Sequence, residues 1–323
     1  MRALVTGGAG FVGSGLVERL LAEGHDVDAI DNLSTGSLAN LATARARAGG
    51  RFSFHRFDLR SAELVDLLAK REPEVVFHLA AQADVRVSID DPALDAGINV
   101  VGSLHLLEGA RRAGTRKVVF AGSGGTLYGA PTDLPTPESH ERRPISPYGV
   151  AKKAVGDYLH YYEVVHGLDY TVLALANVYG PRQDPFGEAG VVAIFARRLL
   201  DGEQVMIYGD GHQTRDFVYV GDVVDAFSRA KEPGVATGLV VNVGTGVETT
   251  VNELFATMAG LTGTATEAVH APARTGELIR SALDPRLAAT ELDWRPATAL
   301  EDGLSATLDW FRSRPPAPRP AAV

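Results

Sequence analysis

The sequence predicts an α/β protein built on a doubly wound parallel sheet. Three observations carry this reading: short β-rich apolar runs recur along the chain, amphipathic helical patterns separate them, and glycines follow the first run at once. The runs are RALVT at 2–6, VDAID at 27–31, FSFHRFD at 52–58, VVFHLA at 75–80, KVVFAG at 117–122 and YTVLALA at 170–176. Strands separated by helices of this length form βαβ units, whose sheets are covered on both faces. In such sheets ligands bind beyond the carboxyl ends of the strands. The residues that close each run are therefore the candidates for chemistry.

After the first run comes Thr6-Gly7-Gly8-Ala9-Gly10-Phe11-Val12-Gly13, then a helical stripe of Phe11, Leu16, Leu20 and Leu21. Gly7, Gly10 and Gly13 let the backbone turn tightly and approach a pyrophosphate, which the amides and positive end of the helix stabilise. A plain strand-to-helix turn is the competing use of these glycines. The second run closes at Asp31, 18 residues beyond Gly13 (31 minus 13). A carboxylate there can accept hydrogen bonds from an adenosine ribose and would repel a 2′-phosphate, so NAD is favoured over NADP. Capping a turn is what Asp31 would do otherwise. The next loop, DNLSTG, supplies Asn32, Ser34, Thr35 and Gly36. Later run ends give Asp58 and Leu59, then Leu79, Ala80, Ala81 and Gln82, and the small residues of AGSGGTLYG at 121–129. The small Ala80 and Ala81 would let a flat dinucleotide lie close to the sheet.

The bulk composition sets the frame for these motifs. With 323 residues, 45% hydrophobic and 22% charged, the chain can bury a substantial core as about two domains or one large α/β unit. A net charge of −9 argues against nucleic-acid binding, which rests on clustered Lys and Arg. The absence of cysteine excludes disulfides, thiolate metal sites and a cysteine nucleophile. No long apolar run opens the chain, so a cytoplasmic protein with no membrane partner is expected. His78 in its apolar strand reads as a packed core residue, and no His/carboxylate spacing calls for a metal. The Pro- and Ala-rich end, 315–323, reads as a disordered tail.

One further stretch, SPYGVAKKA at 146–154, places Tyr148 and Lys152 four residues apart. Pro147 suits the first turn of a helix, and the spacing puts both side chains on one face. Spacing alone does not separate a solvated pair from a proton-transfer device.

Taken in order, GGAGFVG, DNLSTG, LAAQ, SGGTLYG and YGVAK resemble the extended short-chain dehydrogenase/reductase family, and within it the nucleotide-sugar 4-epimerases. The resemblance continues through NVYGPRQ at 177–183, RDFVYVGDV at 215–223, NVGTG at 242–246 and RTGE at 274–277, covering almost all residues to 314. It implies an NAD-binding Rossmann domain over 1–176, with returning segments at about 213–244, and a smaller C-terminal α/β domain, mainly substrate-binding, over 177–314. It implies cofactor contacts from Gly7, Gly10, Phe11, Val12, Gly13, Asp31, Asn32, Ser34, Thr35, Gly36, Asp58, Leu59, Leu79, Ala80, Ala81, Gln82 and Asn99, joined by Tyr148 and Lys152. Tyr148 is then the base and Lys152 its electrostatic partner. A phenol is a poor base at neutral pH, and nearby positive charge favours its ionised form. The implied reaction is reversible C4 epimerisation of a UDP-hexose through a 4-keto sugar, with NAD retained.

The chain departs from that pattern at one point. Many relatives carry Ser or Thr four residues before the tyrosine of VYG, where this chain has Gly124. Ser123 and Thr126 flank it, and either hydroxyl could assist Tyr148, with Ser123 ranked slightly ahead. The same loop argues against a 4,6-dehydratase, which resembles TDEVYG. Gly124, Gly125 and Thr126 stand where elimination needs carboxylates.

On the substrate side the resemblance assigns Arg215 and Arg274 to phosphate, Glu277 to the uridine ribose and Asn177 to the diphosphate or sugar. It adds Val191 and Val192, with Val205 and Tyr208 near the base and ribose. Asp184, in PRQDP, would repel a uronate carboxylate, favouring UDP-glucose and UDP-galactose over UDP-glucuronate. Ser281 is small where the family gates the C2 substituent, so UDP-GlcNAc and UDP-GalNAc stay open. The Leu-rich segments 93–113 and 147–165 resemble a dimerising pair, which implies a homodimer. The rival readings are an oxidoreductase or dehydratase that releases an oxidised product, and a non-catalytic NAD-binding protein.

Overall fold

The computed structural model describes residues 1–186, 190–265, 267–274 and 278–314. The tail 315–323 and the ribose candidate Glu277 lie outside the described residues. Six strands realise the six apolar runs: β1 (Arg2–Thr6), β2 (Asp26–Asp31), β3 (Phe52–Arg56), β4 (Val75–His78), β5 (Lys117–Ser123) and β6 (Asp169–Leu175). A seventh, Leu239–Val243, is not among those runs; it pairs only with β6, at the sheet edge. The order is Leu239–Val243, β6, β5, β4, β1, β2, β3, and every neighbouring pair is parallel. The chain reverses its winding between β1 and β4, where Thr6 pairs with His78. This is the doubly wound sheet predicted from the sequence, and its switch point is the crevice where such sheets bind dinucleotides.

The sheet is covered on both faces. Ala3 and Val5 enter one apolar layer with Leu16, Leu20, Val223 and Phe227, whereas Leu4 enters the other with Leu64, Leu68, Leu106 and Leu159. Successive side chains of a strand point to opposite faces, so alternate residues of one run feed two cores. The helix Val220–Arg229 packs on Phe11–Ala22, and the strand Leu239–Val243 extends the sheet, so both segments return to this body. A third apolar cluster joins Phe195, Leu199, Ile207, Leu254, Met258, Leu304 and Leu308 from the C-terminal part.

Helix Pro147–His166 carries the Tyr/Lys pair and is sharply bounded. The Ser146 hydroxyl accepts the Gly149 N–H at 3.2 Å, and Pro147 occupies the first turn, where a missing N–H costs nothing. Gly167 ends it with φ 68°, a left-handed conformation that costs glycine no Cβ clash. No described helix is long and apolar enough to cross a membrane.

Candidate active site

The glycine turn is required by its own backbone. Gly7 has φ +67°, and a Cβ on it would sit 2.9 Å from the Ala80 nitrogen. A Cβ on Gly13 would come within 2.1 Å of the Gly7 carbonyl oxygen. The helix Phe11–Ala22 that follows has no side-chain cap and no acidic residue in its first turn, so its amides face the crevice with positive charge uncompensated. This cradle fits a pyrophosphate. At the end of β2, Asp31 is 8% exposed, with Oδ2 accepting the Ala9 N–H at 3.0 Å and Oδ1 the Leu33 N–H at 2.8 Å. Two backbone bonds use about half of a carboxylate's acceptor positions, so Asp31 caps its turn and still keeps capacity for ribose hydroxyls. Gly36 packs on it, since a Cβ there would lie 2.8 Å from the carboxylate oxygens. Asp58 is held by Arg60 and by Asn32 Nδ2 at 3.0 Å, and the Arg60 bonds keep its carboxyl well below the usual range. Ser34 and Thr35 are exposed, Phe11 and Val12 pack partly against the core, and Leu59 is buried.

Behind the turn runs a closed chain of hydrogen bonds. Thr6 Oγ1 accepts the amides of Leu79 at 3.2 Å and Ala80 at 3.1 Å, which stop β4 two residues before the end of its run. Its own proton is then free for His78 Nδ1, 2.8 Å away. Ser103 Oγ donates to the Asn99 carbonyl at 2.5 Å, so His78 Nε2 must donate to Ser103 at 2.8 Å. Donor counting thus fixes a neutral imidazole. Burial, aided by the Lys152 charge, pushes His78 down to about 3. Asn99 and Gln82 clasp each other: Gln82 N–H donates to Asn99 Oδ1, and Asn99 Nδ2 donates to the Gln82 carbonyl, both at 2.9 Å. Their remaining amide protons go to Asp95 Oδ1, at 3.0 Å from Gln82 and 2.8 Å from Asn99, and to the Asp84 carbonyl. Ala81 is half-buried beside them.

Tyr148 and Lys152 lie over the end of β5. Lys152 is 5% exposed; its Nζ donates to the Ala121 carbonyl at 2.9 Å and stands 4.6 Å from the Phe120 ring centre and 5.6 Å from that of Tyr148. Burial lowers it to about 8, and the Asp95 charge opposes that fall. Tyr148 is pushed up to about 12 by burial, with the Ser123 hydrogen bond pulling down and the Asp95 charge pushing up. Ser123 begins the short helix Gly124–Leu127 without its side chain capping it, so its hydroxyl is not consumed by the backbone. Thr126 instead donates to the Ser123 carbonyl at 3.4 Å. Gly124 has no room for a hydroxyl-bearing side chain, because a Cβ there would lie 2.3 Å from Leu283 Cδ1.

Across the crevice, Asn177 lies half-buried in the strand Asn177–Tyr179. Arg215 is half-buried, its Nη1 donating to the Thr214 carbonyl at 2.7 Å. Arg274 is exposed and stacks its guanidinium 3.7 Å above the Tyr208 ring, which brings those two candidates together. Val191 is half-buried, whereas Val192 and Val205 are 1% and 0% exposed in the third cluster. Their side chains are core, which leaves only main-chain atoms for a ligand. Three structural residues of the site have no sequence signal of their own. Asp216 accepts the amides of Thr245, Gly246 and Leu283, pinning three loops together. Arg182 reaches back to Ser14 at 3.1 Å and Glu18 at 2.7 Å on the first helix. Asp95 is the third.

The profile of the NAD dependent epimerase/dehydratase family matches residues 3–244. The chain belongs to this family. It is similar to the UDP-glucose 4-epimerase of Mycolicibacterium smegmatis, 51% identical over 97% of this chain and 99% of that one. Among solved structures it resembles the UDP-glucose 4-epimerase with UDP-glucose from Thermotoga maritima, with TM-score 0.92, 46% identity, and coverage of 97% of this chain and 99% of that one. It also resembles the Thermus thermophilus UDP-glucose 4-epimerase in complex with NAD, with TM-score 0.89, 44% identity, and the same 97% and 99% coverage. The cofactor of this epimerase/dehydratase fold is NAD, and the glycine cradle and Asp31 fit it. Among the described residues no cluster of His, Asp and Glu is arranged to hold a metal ion.

Gly13→Ala is expected to force the turn open at a cost of about 1–3 kcal/mol. The check is a lower melting temperature, with NAD affinity by calorimetry falling more than the loss of stability alone would require. Ser123→Ala removes a bond that favours the phenolate, so the acid side of the pH–rate profile moves to higher pH. Turnover falls roughly tenfold to a hundredfold, as loss of a hydrogen bond to a charged group costs; steady-state rates across pH check both.

Proposed function

We infer that this protein interconverts UDP-glucose and UDP-galactose by reversible C4 epimerisation, an isomerase reaction that uses bound NAD. The observation that carries this reading is the Tyr148 phenol beside a buried Lys152 and Ser123 at the carboxyl ends of the strands, next to the glycine cradle. The high identity to UDP-glucose 4-epimerases over nearly the whole chain supports the same sugar.

NAD, when bound in the glycine cradle beside Asp31, would supply a hydride acceptor and donor for C4, so the reaction would have no net redox change. Tyr148 takes the proton of the 4-hydroxyl and returns it to the oxygen when the sugar presents its other face. Lys152 holds positive charge beneath the phenol, and Ser123 donates to its oxygen, both favouring the ionised form. Arg215 and Arg274 offer planar charged forks for the diphosphate, and Tyr208, stacked under Arg274, a flat apolar surface for the base. Asn177 contacts the diphosphate or sugar.

Specificity follows from what the cleft does not offer. Asp184 is exposed and anionic, with Oδ1 accepting the Phe186 N–H at 2.9 Å, so a uronate carboxylate meets repulsion. The loop 124–126 carries no carboxylate for elimination, and Leu283 fills the space a side chain at Gly124 would need. These features favour epimerisation of a neutral hexose over dehydration.

Incubating the purified protein with UDP-glucose, UDP-GlcNAc, UDP-glucuronate and dTDP-glucose, and separating C4 epimers by chromatography, tests the assignment. UDP-glucose is expected to equilibrate with UDP-galactose without added NAD. Accumulation of an oxidised or dehydrated sugar would reject it. Tyr148→Phe should lose about 10²–10⁴-fold in turnover while NAD and UDP still bind; parental turnover would remove Tyr148 from the role of base.

A homodimer is part of the same reading. The segments 92–101 and Pro147–His166, which pack on each other, expose Leu94, Val101, Val150, Tyr158, Tyr161 and Val165, and a groove of about 520 Å³ is lined by residues of 92–100 and 144–154. Contiguous apolar faces of this kind favour a second copy. Light scattering should give twice the chain mass, and Tyr158→Glu should shift the population to monomer; a monomeric parent protein would refute the dimer.

A further inference from the structure

Asp95 lies in the short helix Pro92–Ala96, packed between Val85–Asp90 and Pro147–His166, and is 1% exposed. Its Oδ1 accepts two amide protons, from Gln82 Nε2 at 3.0 Å and Asn99 Nδ2 at 2.8 Å. Its Oδ2 is buried and has no hydrogen-bond partner among the described residues. A buried carboxylate oxygen left unpaired is costly, and such a group persists where a nearby cation shares its field. The helix Pro147–His166, on which Pro92–Ala96 packs, carries the buried cation Lys152, which has one described hydrogen bond, to the Ala121 carbonyl; burial raises the Asp95 carboxyl, and its amide partners and the Lys152 charge pull it back down.

We propose that Asp95 is a positioning residue of the active site, a fixed counter-charge clamped by Gln82 and Asn99 that sets how charge divides between Lys152 and Tyr148. This rests on the reading of Tyr148 and Lys152 as the reacting pair. The negative charge acts on its two neighbours in opposite senses. It helps Lys152 stay protonated, and it holds back ionisation of Tyr148. Both effects raise the pH at which the respective group gives up its proton, so Asp95 moves the whole working range toward alkaline pH without touching the substrate.

Few other charges compete at this place. His78 on β4 is neutral. On Val85–Asp90, Arg86 and Asp90 are exposed, and Asp84 caps that helix through its Oδ1. On Pro147–His166, Lys153 pairs with Asp157 at 2.8 Å. On Gly102–Ala113, Glu108 is held by Arg111 and Arg112, and His105 faces the Leu59 carbonyl.

The test is Asp95→Asn in the NAD-loaded enzyme, with UDP-glucose turnover measured across pH. Asparagine keeps the Oδ1 acceptor for both amides, removes the charge, and puts an amide nitrogen in place of the unpartnered Oδ2. Both half-points of the profile are expected to move to lower pH, with KM within about twofold of the parent value. At the pH where the parent runs at half its maximum on the acid side, the variant should exceed half of its own maximum; at the alkaline half-point it should fall below. Asp95→Glu should return both half-points toward the parent positions. A purely structural role would lower turnover and leave the half-points in place, and that result would overturn the proposal. If Asp95→Asn does not fold, Asp95→Ser, neutral and smaller, carries the same comparison. Tyr148→Phe separates the two levels of inference: an inactive Tyr148→Phe with unmoved half-points in Asp95→Asn sinks this proposal alone, and a fully active Tyr148→Phe sinks the pair and the proposal together.

Discussion

Lys152 is a cation almost without water. A carbonyl oxygen from β5, the face of Phe120 and the edge of the Tyr148 environment replace its hydration, and burial still lowers its proton affinity to about 8. That leaves only a small margin above neutral pH. The margin is narrow because the same desolvation that concentrates its field also works against its charge. Tyr148 feels the opposite pressure: burial pushes it to about 12, so the chain by itself holds a neutral phenol over an ammonium. A second positive charge beside the phenol, such as an oxidised nicotinamide would carry, would favour the phenolate. In the role proposed for Tyr148, base strength would then depend on occupancy of the cofactor crevice.

The sheet makes that coupling geometric. Parallel strands end together, so Thr6, Asp31, His78 and Ser123 arrive at one edge although they are far apart in sequence. The hydrogen-bonded line from Thr6 through His78 and Ser103 to Asn99 then ties the glycine turn to the segment that carries Asp95. Each polar group in that line has a partner, as burial demands. On the other side, Asp216 ties two backbone segments to its own and Arg182 anchors to the first helix, so the C-terminal wall is fixed against the cofactor cradle.

Much of this was legible in the sequence because it follows local rules. Alternating apolar runs, glycines where a Cβ would strike backbone, and Ser-Pro before a helix each state their structure within a few residues. The edge strand Leu239–Val243 is as long as β1, and it escaped because only its pairing with β6 defines it. The substrate wall was harder to read. Val205 belongs to the third apolar cluster, which only tertiary contacts define, and Ser123 differs from Thr126 in where its hydroxyl points, which no spacing encodes. Asp95 belongs to none of the motifs that the sequence offers. Its significance lies in burial and in an unpartnered oxygen, both products of packing between helices distant in the chain.

Catalysis as proposed depends on a phenol that ionises because cations surround it, and the absorbance of the Tyr148 phenolate reads that directly. A pH titration of the NAD-loaded enzyme, differenced against NAD-loaded Tyr148→Phe, should show one tyrosine ionising well below the ordinary tyrosine range, and the signal should move to higher pH in Lys152→Met. A difference spectrum with no ionisation below that range, in enzyme that turns over UDP-glucose at full rate, would contradict the account.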